Sequence, residues 1–354
     1  MSSINKASNA SGAAMTPPLD PAPLAHGGDL GAARKRFPGA PEPFLNLSAG
    51  INPQPYPVAE LPSDVYTRLP QPAALADLAA IAAKAYGAPS AAHVVAAPGS
   101  QILVAQTAFL LARGRAAVLA PTYAEHGRVA ELAGHNVVEV AEVGQLADAR
   151  IAIVVNPNNP DGRIVAKDAL LALADRLRRR DGLLVVDEAF MDVGPEGASL
   201  SDQAEYDNIV VLRSFGKFYG LAGLRLSFAI AAESVAARIA AALGPWPVSS
   251  AAVVVGAAAL ADTPWKDRTR IMLAEAALKL DTCLAKAGLE IVGGTSLFRP
   301  VRTKEAAQLF QHLGENGIMV RRFPEHPSWL RFGLPSGENE WQRLETALAS
   351  CARG

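Results

Sequence analysis

The stretch 214–225, Ser-Phe-Gly-Lys-Phe-Tyr-Gly-Leu-Ala-Gly-Leu-Arg, concentrates groups able to do covalent and anion chemistry. Lys217 is flanked by Phe215, Phe218 and Tyr219. Aromatic neighbours thin its hydration, which disfavours the ammonium and leaves a free amine able to add to a carbonyl. Such an amine can hold an aldehyde as a Schiff base. Ser214 and Arg225 stand on either side of it and offer an anion a hydroxyl and a two-pronged cation. A nucleotide-binding P-loop fits less well, because Gly216-Lys217 is followed by Phe218 where the metal-binding Ser or Thr belongs. Taken alone, the stretch also suits a glycine-rich turn with a solvated lysine.

Other polar groups stand at the ends of apolar runs. Asp187 emerges straight from Leu183-Leu184-Val185-Val186, where a carboxylate needs a partner such as a protonated pyridine nitrogen or a set of backbone amides. Asn159 follows the run 151–155 and can donate to a phenolate oxygen on a ring, although Asn-Pro pairs are also ordinary turn formers. Tyr123 lies just past the run 116–120, where its face can cover a flat ring. Pro98-Gly99-Ser100 joins a strand-like segment to a helical one that starts at Gln101. Unpaired amides at such a helix start attract an anion, and Ser100 is either a further donor to it or a plain N-cap. Arg331, between Leu330 and Phe332 on a strand-like run, is costly to place unless it meets an anion. His26-Gly27-Gly28 and Gly50-Ile51-Asn52-Pro53 suit a mouth for a small polar ligand, or any loop.

These groups need elements that bring them together. The runs 93–97, 116–120, 151–155, 182–186, 208–212 and 226–230 are short and apolar, with helical patterns at 75–86, 101–112, 166–180 and 234–243. The pattern predicts an α/β fold, a mostly parallel sheet covered by helices, with the carboxyl ends of its strands forming one rim. Gly244-Pro245-Trp246-Pro247 breaks it. Beyond the break, a long helix over 264–287, strands over 289–292, 297–301, 318–321 and 329–334, and helices over 304–316 and from 338 predict a smaller α+β domain. The expected division is a flexible tail at 1–23, an arm at 24–45, a large domain at 46–245 and a small C-terminal domain at 246–354.

Composition narrows the function classes. With 33 Lys and Arg against 34 Asp and Glu, the net charge of −1 supplies no field for nucleic acid or an anionic membrane. Alanine-rich runs at 235–242 and 253–261 stop well short of a membrane span. The first two dozen residues lack the basic start and apolar core of a signal peptide. Cys283 and Cys351 make no disulfide framework, and the histidines lack HExxH spacing, so no metal is expected and the compartment is read as reducing and cytoplasmic.

An anion cradle, a ring-stacking tyrosine, an asparagine for a ring oxygen, an aspartate for a ring nitrogen and an imine-forming lysine match the parts of pyridoxal 5′-phosphate. The order Gly99-Ser100, Tyr123, Asn159-Pro160-x-Gly162, Asp187, Ser214-x-x-Lys217 and Arg225 resembles the fold-type I, aspartate-aminotransferase-like family over about residues 24–349. The resemblance implies that Lys217 is the cofactor-linked lysine, Asp187 the partner of the pyridine nitrogen and Asn159 that of the ring oxygen. It further implies that Gly99, Ser100, Gln101, Ser214 and Arg225 hold the cofactor phosphate, that Tyr123 stacks, that Arg331 binds the substrate carboxylate and that the enzyme is a homodimer.

Two branches of the family compete, the threonine-phosphate decarboxylases of cobalamin biosynthesis and the histidinol-phosphate aminotransferases. His26-Gly27-Gly28, the segment 48–53, Asp187-Glu188-Ala189-Phe190 and Lys217-Phe218-Tyr219 resemble the decarboxylases more. That branch implies that His26, Asn52 and Arg321 bind a substrate phosphate, with Asn159 contacting substrate as well as cofactor. Phe190 stands where aminotransferases usually carry a tyrosine, and Leu69 where relatives often have a tyrosine reaching the partner subunit's cofactor phosphate. A non-catalytic binding protein on the same fold is the alternative from another class, and the intact lysine, aspartate and asparagine argue against it.

Overall fold

In the computed structural model, which describes residues 27–351, thirteen strands follow one another along the chain. They are β1 (Leu45–Asn46), β2 (Val94–Ala97), β3 (Arg115–Leu119), β4 (Asn136–Val140), β5 (Ile151–Val155), β6 (Leu183–Asp187), β7 (Ile209–Ser214), β8 (Ser227–Ala231), β9 (Glu290–Ile291), β10 (Phe298–Arg302), β11 (Ile318–Met319), β12 (Arg321–Arg322) and β13 (Trp329–Gly333). Seven of them form one sheet in the order β2-β8-β7-β6-β5-β3-β4, parallel from β7 through β4, with β8 running against both its neighbours.

Side-chain alternation explains why this sheet needs two layers of helix. Val185 and Val210 face one core, shared with Leu103 and Val129 of helices Ser100–Ala108 and Glu125–Leu132. Val186 and Val211 face the other, shared with Leu78 and Leu173 of helices Pro72–Tyr86 and Lys167–Arg178. Continuous apolar runs are what a strand buried on both faces requires. The carboxyl ends of β2, β3, β5, β6 and β7 therefore open onto one rim, with Asp187 level with Val155 on one side and Leu212 on the other.

The C-terminal part holds a four-stranded antiparallel sheet in the order β12-β13-β10-β9. The single strand expected over 318–321 is split at Val320, because β11 pairs in parallel with β1 while β12 pairs with β13. The N-terminal strand is thus tied to the C-terminal region. Several elements, among them helix Glu125–Leu132, strand β4 and helix Ser250–Ala261, had no counterpart in the sequence reading. Edge strand β4 is half exposed, and helix Ser250–Ala261 is apolar all round and shows little periodicity. At Gly294 the chain comes against the loop that follows β5, its amide donating to Asp161 O at 2.9 Å. A Cβ at Gly162 would lie 2.2 Å from Gly294 O, so this approach of the C-terminal part to the Asn159 loop requires glycine. Among the described residues, no helix is long and apolar enough to cross a membrane, and no group of three or more His, Cys, Asp or Glu could hold a metal ion.

Candidate active site

A cavity of about 380 Å³ opens where the rim of the large sheet meets the small one. Ser100, Tyr123, Asn159, Asp187, Lys217, Arg321 and Arg331 all line it. A wider, open cleft behind the Asn159 loop, lined by Asp161, Arg163 and Arg299 among others, contains none of these side chains.

Lys217 sits in a single helical turn, Phe215–Phe218, immediately after β7. Burial, then the cations of Arg331 and Arg225, push its amine down to about 8, with Asp187 pulling the other way. Its Nζ lies 5.8 Å from the centre of the Phe190 ring, a face with no hydroxyl.

Asp187 ends β6 and is 5% exposed. Its Oδ1 accepts from the Ala189 amide at 3.0 Å, and its Oδ2 lies 2.9 Å from His126 Nε2. His126 is itself 1% exposed and was not singled out in the sequence. The available signal was a histidine three residues past Tyr123, in the segment leaving β3, which only the register of β3, β5 and β6 turns toward Asp187.

Tyr123 donates its hydroxyl to Gln101 Oε1 at 3.2 Å, and Gln101 Nε2 donates to Glu125 at 2.9 Å. Burial, then the charges of Glu125 and Asp187, push the phenol up to about 12, so it stays neutral. The Gln101 side chain is thereby used to hold Tyr123, leaving its amide at the helix start. Gly99, at φ +87°, precedes that helix, and a Cβ there would lie 2.3 Å from Arg225 Nη2. The guanidinium therefore passes directly over the Gly99-Ser100 turn. Arg225 adopts φ 54°, ψ 53°, an uncommon conformation for a residue with a side chain and one that clusters at functional sites. Ser214 is buried at the end of β7. Of Gly99, Ser100, Gln101, Ser214 and Arg225, only Ser100 lines the cavity.

The opposite wall is built from arginines. Arg321 and Arg331 are directly paired across β12 and β13, so both side chains leave the same face of the ladder. Like charges in that position repel. Arg331 is 6% exposed, donates to Asn159 Oδ1 and to Ser48 O, and keeps a buried Nε without a partner. No carboxylate lies within ion-pair distance of it among the described residues. Burial, then the charge of Arg321, push its guanidinium down to about 9.

Of the predicted substrate residues among those described, one does not line the cavity. Asn52 is buried away from the cavity, its Nδ2 donating to Phe218 O and its Oδ1 accepting from the Gln54 amide, both at 2.9 Å. Its own amide donates to Lys217 O at 2.9 Å, so it shapes the lysine turn from behind. His26 lies outside the described residues, although the adjoining Gly27 lines the cavity.

The model of a protein family described as "Aminotransferase class I and II" matches residues 46–347. The chain belongs to this family. It is 41% identical to a threonine-phosphate decarboxylase of Sinorhizobium sp, over 93% of this chain and 98% of that protein. It is 40% identical to a threonine-phosphate decarboxylase of Pseudomonas aeruginosa, over 92% and 97%. In fold it is similar to the crystal structure of histidinol-phosphate aminotransferase from Sinorhizobium meliloti in complex with pyridoxal-5′-phosphate. The TM-score there is 0.80, with 20% identity over 97% of this chain and 99% of that one.

Proposed function

We propose that this chain is a pyridoxal-phosphate-dependent carboxy-lyase that converts L-threonine O-3-phosphate to (R)-1-amino-2-propanol O-2-phosphate and carbon dioxide, in cobalamin biosynthesis. Both full-length relatives at about 40% identity carry the matching name. The observation that carries the reading is the pair of opposed arginines in one cavity, since a substrate with two anionic groups is what such a wall requires.

The residues fit the cofactor. Gly99 has no room for a side chain beneath Arg225, and the helix amides, Ser100 and the guanidinium would together meet one small anion. Ser214, at the end of β7, would complete the phosphate site. Asp187, held from behind by His126, would keep a ring nitrogen protonated, and Tyr123 would cover the ring. When bound, pyridoxal phosphate supplies an electron sink for the bond broken at Cα. Lys217 would anchor the cofactor aldehyde and is placed to return a proton to Cα once carbon dioxide has left. Arg331 and Asn159 would grip the substrate carboxylate, and Arg321 its phosphate. Asn159, already bonded to Arg331, joins the two halves of the site.

The working unit in this reading is a cytoplasmic homodimer. Tyr66 and Leu69 are 70% and 58% exposed beside helix Ser250–Ala261, whose Ser250 hydroxyl donates to Arg68 O at 2.8 Å, and Trp246 is exposed as well. An apolar patch of that kind suits a subunit contact.

Incubating the holoenzyme with L-threonine O-3-phosphate should release carbon dioxide. Incubating it with histidinol phosphate and 2-oxoglutarate should give no glutamate. Glutamate without carbon dioxide would overturn the assignment.

A further inference from the structure

Directly beneath the candidate site lies a group of charges that the reaction does not touch. Arg213, on β7, is 4% exposed and donates from Nη1 to Glu188 Oε2 at 3.0 Å and from Nη2 to Asp192 Oδ1 at 2.8 Å. Glu188 and Asp192 are 0% and 5% exposed. Three ions out of water are a poor way to gain stability, since the desolvation cost can exceed the mutual attraction. This group is also incompletely satisfied, with Arg213 Nε and Asp192 Oδ2 buried without partners. What it does provide is geometry.

Glu188 is the residue after Asp187, and Arg213 is the residue before Ser214. The registered pairs of β6 and β7 end at Asp187–Leu212, followed by the Glu188 amide donating to Leu212 O at 2.8 Å. The Arg213–Glu188 pair continues that ladder in side chains, one step beyond the backbone, at the point where both strands turn into the cavity. Asp192 extends the hold to the turn Met191–Val193, just past Phe190.

We infer that Arg213, through Glu188 and Asp192, is a positioning residue that sets the separation between the Asp187 carboxylate and the Lys217 turn, and so the span available to the cofactor ring. The inference rests on the reading that Asp187 and Lys217 hold pyridoxal phosphate. Lysine is no substitute for Arg213, because a point charge cannot serve two carboxylates with the fixed geometry of a planar fork.

The test compares purified apoprotein variants by thermal melting and by titration with pyridoxal phosphate, read from absorbance. Arg213→Met alone leaves two buried carboxylates unpaired and is liable to unfold. The neutral triple variant Arg213→Met, Glu188→Gln, Asp192→Asn removes all three charges together and is expected to melt near the parent. It should nevertheless bind pyridoxal phosphate about tenfold or more weakly, in the range seen when supporting residues behind a site are lost. Arg213→Lys should fall between the two. A triple variant with parental cofactor affinity would overturn the inference, and so would failure of every variant to fold, which would make the group a folding requirement. A parent chain that does not bind pyridoxal phosphate would instead overturn the proposed function.

Discussion

The two walls of the cavity treat their charges in opposite ways. On the wall made by the large sheet, Asp187 has His126 and the Ala189 amide, and Tyr123 has Gln101. On the wall made by β12 and β13, Arg331 is buried opposite another arginine with one nitrogen unpaired and, among the described residues, no carboxylate within ion-pair distance. The first wall is finished by its own chain and can hold a resident group in one orientation. In the second, Arg331 keeps an unpaired nitrogen that an arriving anion would satisfy. In the proposed reading, preorganisation belongs to the strand ends and recognition to the small sheet.

The largest effect should come from the finished wall. Lys217→Ala should lower turnover on the order of 10⁴-fold or more while circular dichroism and melting stay close to the parent. Near-normal activity would remove the proposed centre. Asp187→Ala should cost roughly 10²–10³-fold in kcat, as expected for a preorganised electrostatic group. His126→Ala should cost less, about 10- to 100-fold, because it acts only through Asp187. Equal losses would mean that His126 touches the ligand itself.

Breaking the unfinished wall should look different. Arg331→Ala should raise KM for the phosphorylated substrate by about 100-fold, the scale for losing a charged contact to an anion. Because it also removes an uncompensated buried cation, the ligand-free variant should melt no lower than the parent. A large drop in melting temperature with unchanged KM would make Arg331 a structural residue.

A pH experiment sharpens the same contrast. The amine of Lys217 is held at about 8 rather than the ordinary 10.5, so its neutral fraction climbs with pH only as far as about 8. The rate at which apoprotein takes up pyridoxal phosphate should therefore rise roughly tenfold per unit below that point and level off above it. A rate still climbing toward pH 10 would show a solvated lysine.

Asn52→Ala should have the smallest kinetic effect. Its side chain holds Phe218 O and not the cavity, so the loss should appear as about 1–3 kcal/mol of stability. A selective rise in KM would restore Asn52 to the substrate site.

Much of this was legible in the sequence because buried parallel strands write themselves as unbroken apolar runs, and several of those runs lead straight into a polar residue. Asp187, Asn159 and Lys217 were singled out that way, and all three line the cavity. The same logic failed where partners come from elements far apart. His126 carries no mark of its role until β3, β5 and β6 are laid side by side. For Asn52 the resemblance implied a ligand contact, and its bond to Phe218 O, 166 residues away, leaves no mark in the sequence around it. Helix Ser250–Ala261 was obscure because a helix apolar on every side has no face to detect. The split of 318–321 into β11 and β12 depends on pairing with β1, almost three hundred residues away in sequence, which no local pattern records.

The central claim is that one particular lysine, at the end of β7, holds the cofactor. Mixing the apoprotein with pyridoxal phosphate, reducing with borohydride and mapping the modified peptide tests it directly. Label confined to Lys217 is the predicted result. Label at another lysine would contradict the account, and Lys266 is the sharpest control, since its amine is also held down by burial but lies outside the cavity.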